Sequence, residues 1–138
     1  MHKDIEIVDT SSDIGLRIYG KTLEDLFCRG AIGLYSLITD LSKIDSKKNI
    51  KINIYSESLD SLYVNWLNEL IFQFDTYGFI GCNVDLDVLT KNKVEAIVKG
   101  ENFDPTRHEK GLLLKAATYH KFKIEKKAGV WEVEVIFD

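Results

Sequence analysis

The sequence predicts an α+β fold: about seven mostly antiparallel strands covered by two amphipathic helices, in a single domain over residues 1–138. Two observations predict it. Apolar residues recur at helical spacing in two long stretches before Gly78. After Gly81 the apolar period changes to two and stays there. Clean alternation leaves one polar face on each strand, which favours antiparallel sheets with one covered face over a buried parallel sheet.

The elements follow in order. Ile5 and Ile7, then Leu16 and Ile18, alternate with polar neighbours and read as two short strands around an aspartate loop. Thr22 is an N-cap, and Asp25 three residues on completes a capping box. Leu23, Leu26, Phe27, Ala31, Leu34, Leu37, Ile38 and Leu41 then form one apolar stripe, with Gly30 and Gly33 as close-packing positions within the helix. A polar break from Ser42 to Asn49 leads into a strand carrying Ile50, Ile52 and Ile54. Ser58 caps a second helix, striped by Leu59, Leu62, Tyr63, Trp66, Leu67, Leu70, Ile71 and Phe74, and Gly78 is its left-handed stop. Val84, Leu86 and Val88 make a hairpin with Val94, Ala96 and Val98 through a turn at Lys91-Asn92. Leu112, Leu114, Ala116 and Thr118 start a long strand to about Glu125. Ala128-Gly129 turns it into a last strand whose Trp131, Val133, Val135 and Phe137 share a face.

Composition narrows the class. With 45% hydrophobic and 29% charged residues the chain is an ordinary globular domain. A net charge of −4 provides no global attraction to nucleic acid or anionic membrane, so such contacts must be local. No apolar run approaches the roughly 18 residues of a membrane span, and the segment Met1 to Glu6 lacks the core of a signal peptide. Cys28 and Cys82 fit no Cys-x-x-Cys pattern and read as reduced, half-buried thiols of a cytoplasmic protein.

Two places stand out chemically. The first is a pair of aspartate-bearing segments at opposite ends of the chain, Asp9 to Gly15 and Val135 to Asp138. Each adjoins a strand, so if the first and last strands are neighbours their carboxylates converge on one cation, and hard divalent ions want several such oxygens. Against this stands a purely local role, since Asp and Ser side chains also organise turns. The second is Gly100 to Gly111, a stretch without alternation and dense in ionisable groups. It reads as a solvated loop or as a docking loop, with Arg107 offering a planar fork to a carboxylate or phosphate. His108 and His120 are candidate bases or ligands, His120 lying inside a strand. Lys115, Lys121, Lys123, Lys126 and Lys127 give the last hairpin a basic tilt that a solvated strand face explains as well as RNA binding does. No phosphate-cradling glycine loop, Gly-x-Ser-x-Gly elbow or Cys/His pair is present.

Taken together, these segments resemble the archease family. The stretch Asp9-Thr10-Ser11-Ser12-Asp13-Ile14-Gly15 is similar to its opening His-Thr-Ala-Asp-Ile-Gly motif, and Trp66-Leu67-Asn68-Glu69-Leu70 to its second helix. Ile38 to Ser42 looks like the end of its first helix. Gly100-Glu101, Phe103-Asp104-Pro105, Arg107-His108 and Lys115-Ala116-Ala117-Thr118-Tyr119-His120 match its late loop and strand, and Val135-Ile136-Phe137-Asp138 its closing signature. The resemblance implies a non-enzymatic accessory protein that activates the GTP-dependent, RtcB-type RNA ligase of tRNA splicing and RNA repair, acting on tRNA indirectly through the ligase. It implies guanylylation and repeated turnover of that ligase as the steps promoted. It implies a divalent metal, calcium first among the candidates, held by Asp13 and Asp138, and partner docking through Asp9, Arg107, His108, Lys115 and His120. Two departures are visible. Thr10 and Ser12 replace the family's histidine and alanine, and the residue that often follows the closing aspartate, itself a metal ligand, has no counterpart after Asp138. Either the α-carboxylate of Asp138 substitutes for it, or a native residue follows Asp138 and is missing from this sequence. The competing classes are an enzyme whose metal activates water near His108 or His120, and a general chaperone or RNA-binding module.

Overall fold

The computed structural model describes residues 4–138, so Met1, His2 and Lys3 of the N-terminal reading lie outside the described residues. Its elements are β1 (Ile5–Asp9), β2 (Ile14–Gly20), α1 (Leu23–Ile38), a 3-10 turn (Leu41–Lys43), β3 (Lys48–Tyr55), α2 (Leu59–Tyr77), β4 (Phe79–Leu89), β5 (Lys93–Asn102), β6 (Ala117–Lys127) and β7 (Val130–Phe137). The α+β expectation holds, with the strands divided between two sheets. One runs β1-β2-β7-β6 and the other β3-β5-β4, and every neighbouring pair is antiparallel.

Both helix starts follow the caps read from sequence. Thr22 Oγ1 accepts from the Asp25 N–H while Asp25 accepts from the Thr22 N–H. Ser58 and Ser61 repeat that reciprocal pattern at α2. Gly78 stops α2 at φ 72°, a left-handed conformation that glycine adopts at no steric cost.

Each helix touches both sheets, so the helices form the layer that the two sheets share. This explains why so much of each helix is buried rather than one narrow stripe. Phe27, Leu34, Tyr63, Trp66 and Leu67 are fully buried. The Trp66 indole donates to the Phe27 carbonyl at 3.0 Å, and the Tyr63 hydroxyl to the Leu26 carbonyl at 2.7 Å. Gly30 makes that approach possible, because a Cβ there would collide with the Tyr63 hydroxyl. Gly30→Ala is therefore expected to destabilise the fold by about 1–3 kcal/mol, the usual cost of overpacking. A thermal melt showing the variant as stable as wild type would contradict that helix contact.

The structure corrects two boundaries. Leu41 belongs to the 3-10 turn and not to α1, which ends at Ile38. The last carbonyls of α1, which no helical N–H reaches, accept instead from the late loop: Gly111 N–H bonds Ile38 O and Leu112 N–H bonds Leu37 O, both at 2.8 Å. The same bonds explain the second correction. Leu112 to Ala116 do not begin the long strand; they cross the end of α1 with Leu114 buried, and β6 starts only at Ala117. The unpatterned stretch also begins later than its sequence suggests, because Gly100, Glu101 and Asn102 still belong to β5.

Candidate functional site

The antiparallel register of β2 and β7 sets the geometry of the aspartates. Gly15 pairs with Ile136 and Ile14 with Phe137, so Asp13 and Asp138 are the next residues beyond the last pair, at the same end of the two strands. Both ends are fastened. Asp138 stays in the sheet beside the approach to β6, its N–H donating to Ala116 O and its carbonyl accepting from Lys115 N–H, each at 2.9 Å. Asp13 closes the β1–β2 turn: its carbonyl accepts from the Thr10 N–H at 3.0 Å, and its own N–H donates to Thr10 Oγ1 at 3.2 Å. Thr10 thus serves the turn with its hydroxyl. Asp9 ends β1, paired with Ile14 across the ladder, so three aspartates sit at one corner of one sheet.

This corner offers carboxylate oxygens without thiolate or imidazole, the donor chemistry of a hard divalent ion. The donor number is small. Among the described residues no group of three or more His, Cys, Asp or Glu side chains is gathered as a ligand set. Asp13 and Asp138 are the residues that would hold an ion here, with water and backbone carbonyls completing its shell.

The start of β6 is positioned by a residue whose role the sequence did not disclose. Asn68 on α2 grips the backbone of Ala117 with both ends of its amide, accepting from Ala117 N–H at 2.7 Å and donating to Ala117 O at 3.2 Å. Ala117 pairs with Phe137, the neighbour of Asp138. The signal in the sequence was the place of Asn68 within the helical Trp66-Leu67-Asn68-Glu69-Leu70 segment, which gave it no role.

The late loop is organised around a second unforeseen residue, the buried Glu101. Its carboxylate accepts from the Asp45 N–H at 2.6 Å and from the Arg107 guanidinium, and Lys47 Nζ lies 3.8 Å away. His108 is buried beside it. Its Nδ1 accepts from the Asp104 N–H at 2.8 Å, which leaves the proton of a neutral ring on Nε2, 3.4 Å from Glu101. His108 therefore stands inside the loop rather than at its surface. Arg107 remains partly exposed, its Nε 3.5 Å from Asp104. Lys115 and His120 are exposed, and His120 lies in a β6 bulge between Thr118 and Lys123 where Lys121 takes a positive φ of 54°.

The Asp45 N–H and then the Arg107 guanidinium hold the Glu101 carboxyl below its ordinary value of 4.5. A depressed carboxyl stabilises the fold above its unfolded value and loses that contribution as pH falls through the folded one. Melting temperature should accordingly drop as pH falls below about 4.5. Glu101→Gln should melt lower than wild type at neutral pH and show a flatter acid limb. Parallel acid limbs for the two proteins would contradict this.

Two of the five lysines of the last hairpin, Lys123 and Lys127, are paired with carboxylates. Glu6, Arg17, Glu134 and Lys123 lie in register across all four strands of the first sheet, alternating in sign. Arg17 Nε donates to Glu134 at 2.9 Å, while Lys123 lies 3.3 Å from Glu125 and 3.6 Å from Glu132. Lys127 is 3.1 Å from the same Glu125. This face is a solvated charge ladder.

Comparison with known proteins agrees with this architecture. Residues 6–138 match the model of the Archease protein family (MTH1598/TM1083). The protein archease of Pyrococcus furiosus is 34% identical over 137 residues, covering 96% of each chain. That of Sulfurisphaera tokodaii is 31% identical over 134 residues, again 96% of each. Among solved structures, protein 1598 of Methanobacterium thermoautotrophicum superposes with a TM-score of 0.81 at 29% identity, over 99% of each chain. An archease of Thermotoga maritima, described as a possible chaperone, superposes at 0.66 with 20% identity over 100% of this chain and 99% of its own, a likeness of fold alone. The chain belongs to the archease family.

Proposed function

We propose that this protein is an accessory factor of a GTP-dependent, RtcB-type RNA ligase. It promotes guanylylation of the ligase and so its multiple turnover, and it acts on tRNA indirectly, through that partner, in the cytoplasm. The observation that supports the reading is the β2–β7 register, which runs to Ile14 and Phe137 and so brings the half-buried Asp13 and the exposed Asp138 to the same end of that strand pair. Like charges brought near each other repel unless a cation lies between them. A divalent ion held there, calcium the first candidate, supplies positive charge of the kind that offsets phosphate oxygens during nucleotidyl transfer.

The chain's own part in this reading is positional. Thr10 holds the turn under Asp13, the Lys115 and Ala116 backbone holds Asp138, and Asn68 holds the strand beside them. Asp9, Lys115 and His120 present side chains for docking, and Arg107 does so from the loop. His108, being buried, contributes by fixing that loop.

The test is guanylylation of a cognate ligase with labelled GTP and a divalent ion, with and without this protein at substoichiometric amounts. Faster guanylylation and more than one ligation per ligase are expected. Equal rates in the two reactions would refute the proposal.

A further inference from the structure

A lysine pair, Lys47-Lys48, lies where the polar break after the 3-10 turn runs into β3. Lys47 and Lys48 line an open groove of about 460 Å³ with Asn102, Phe103, Pro105 and Arg107. The chain as a whole is anionic, yet this groove gathers three cations against two carboxylates, Glu101 and Asp104.

Those carboxylates serve to fix the cations. Glu101 lies beneath the surface and is occupied by the Asp45 N–H and the Arg107 guanidinium. Asp104 Oδ1 is taken by the Thr106 N–H at 2.9 Å and hydroxyl at 2.7 Å. Arg107 meets its two partners through Nη2 and Nε, so one edge of its fork is committed and Nη1 carries neither contact. Lys48 Nζ is steered by Asn102 Oδ1 at 2.9 Å and sits 5.9 Å from the centre of the Phe79 ring. Lys47 is largely exposed. Arginine with a free edge beside two ammonium groups suits a phosphate, which accepts several charge-assisted hydrogen bonds at once.

We propose that the groove between the start of β3 and the 103–107 loop binds a phosphate group, carried by a nucleotide or by single-stranded RNA. The groove is distinct from the corner, since it is lined from β3, β5 and the loop after β5, whereas the aspartates adjoin β1, β2 and β7 of the other sheet. A cradle whose own carboxylates are partly neutralised gives a weak, salt-sensitive site, which suits transient contact with a charged ligand rather than its storage.

The experiment is a titration of the ¹⁵N-labelled protein with inorganic pyrophosphate and, separately, with a short oligouridylate. Saturable shifts at Lys47, Lys48, Thr106 and Arg107 amides are expected, and the probe that binds more tightly identifies the source of the phosphate. The double variant Lys47→Ala/Lys48→Ala should bind about tenfold more weakly, in keeping with two lost phosphate contacts. Its melting temperature should stay unchanged, because both side chains are at the surface. The absence of saturable shifts with both probes, or equal affinity in the double variant, would overturn the proposal.

Discussion

Trp66→Ala is expected to lower the unfolding free energy by about 3–5 kcal/mol, the range for truncating a large core aromatic. Trp66 is fully buried, touches the Phe27 ring at 6.0 Å between centroids, and satisfies its indole N–H on the Phe27 carbonyl. Truncation leaves a cavity in the helix layer that both sheets share, so neither sheet can close over it by moving alone. Trp66→Phe should recover much of the packing while still losing the hydrogen bond, worth about 1 kcal/mol. Reversible denaturation of the three proteins checks this. A loss under about 1 kcal/mol for the alanine variant would place Trp66 outside the core.

Asp13→Ala is expected to remove most divalent-ion affinity while leaving the melting temperature within a degree or two of wild type. Its side chain packs into no core cluster, and the turn is held by Thr10 and by the Asp13 backbone, which alanine retains. The loss is large because so few carboxylates are gathered at the corner, and ligand number and charge largely set affinity for hard ions. Asp138→Ala should lose a comparable share. Calorimetric calcium titration of the three proteins reads this directly. Unchanged affinity in Asp13→Ala would remove the corner from the account.

The parts legible in the sequence are those governed by local rules. Thr22, Asp25, Ser58 and Gly78 act on their own helix ends, and Thr90 closes the hairpin turn at Lys91-Asn92 locally, with Asn92 also bonding Ser56 and Glu57. The corner was half legible. Strand-end aspartates are visible in a sequence, but only the pairing of β2 with β7, elements more than a hundred residues apart, brings those strand ends together. The misplaced start of β6 has the same origin. Leu112 and Leu114 alternate as a strand should, yet the unsatisfied carbonyls of Leu37 and Ile38 claim this backbone first. Asn68 and Glu101 were hidden for a related reason. Each is an ordinary polar residue until the fold brings Ala117 to one and Asp45, Arg107 and His108 to the other.

The most direct test of the central claim is the guanylylation rate of a cognate ligase stimulated by wild type and by Asp13→Ala at equal concentration, with a divalent ion present. The account predicts that the variant, folded and melting as wild type does, returns the rate to that of the ligase alone. Full stimulation by Asp13→Ala would contradict it.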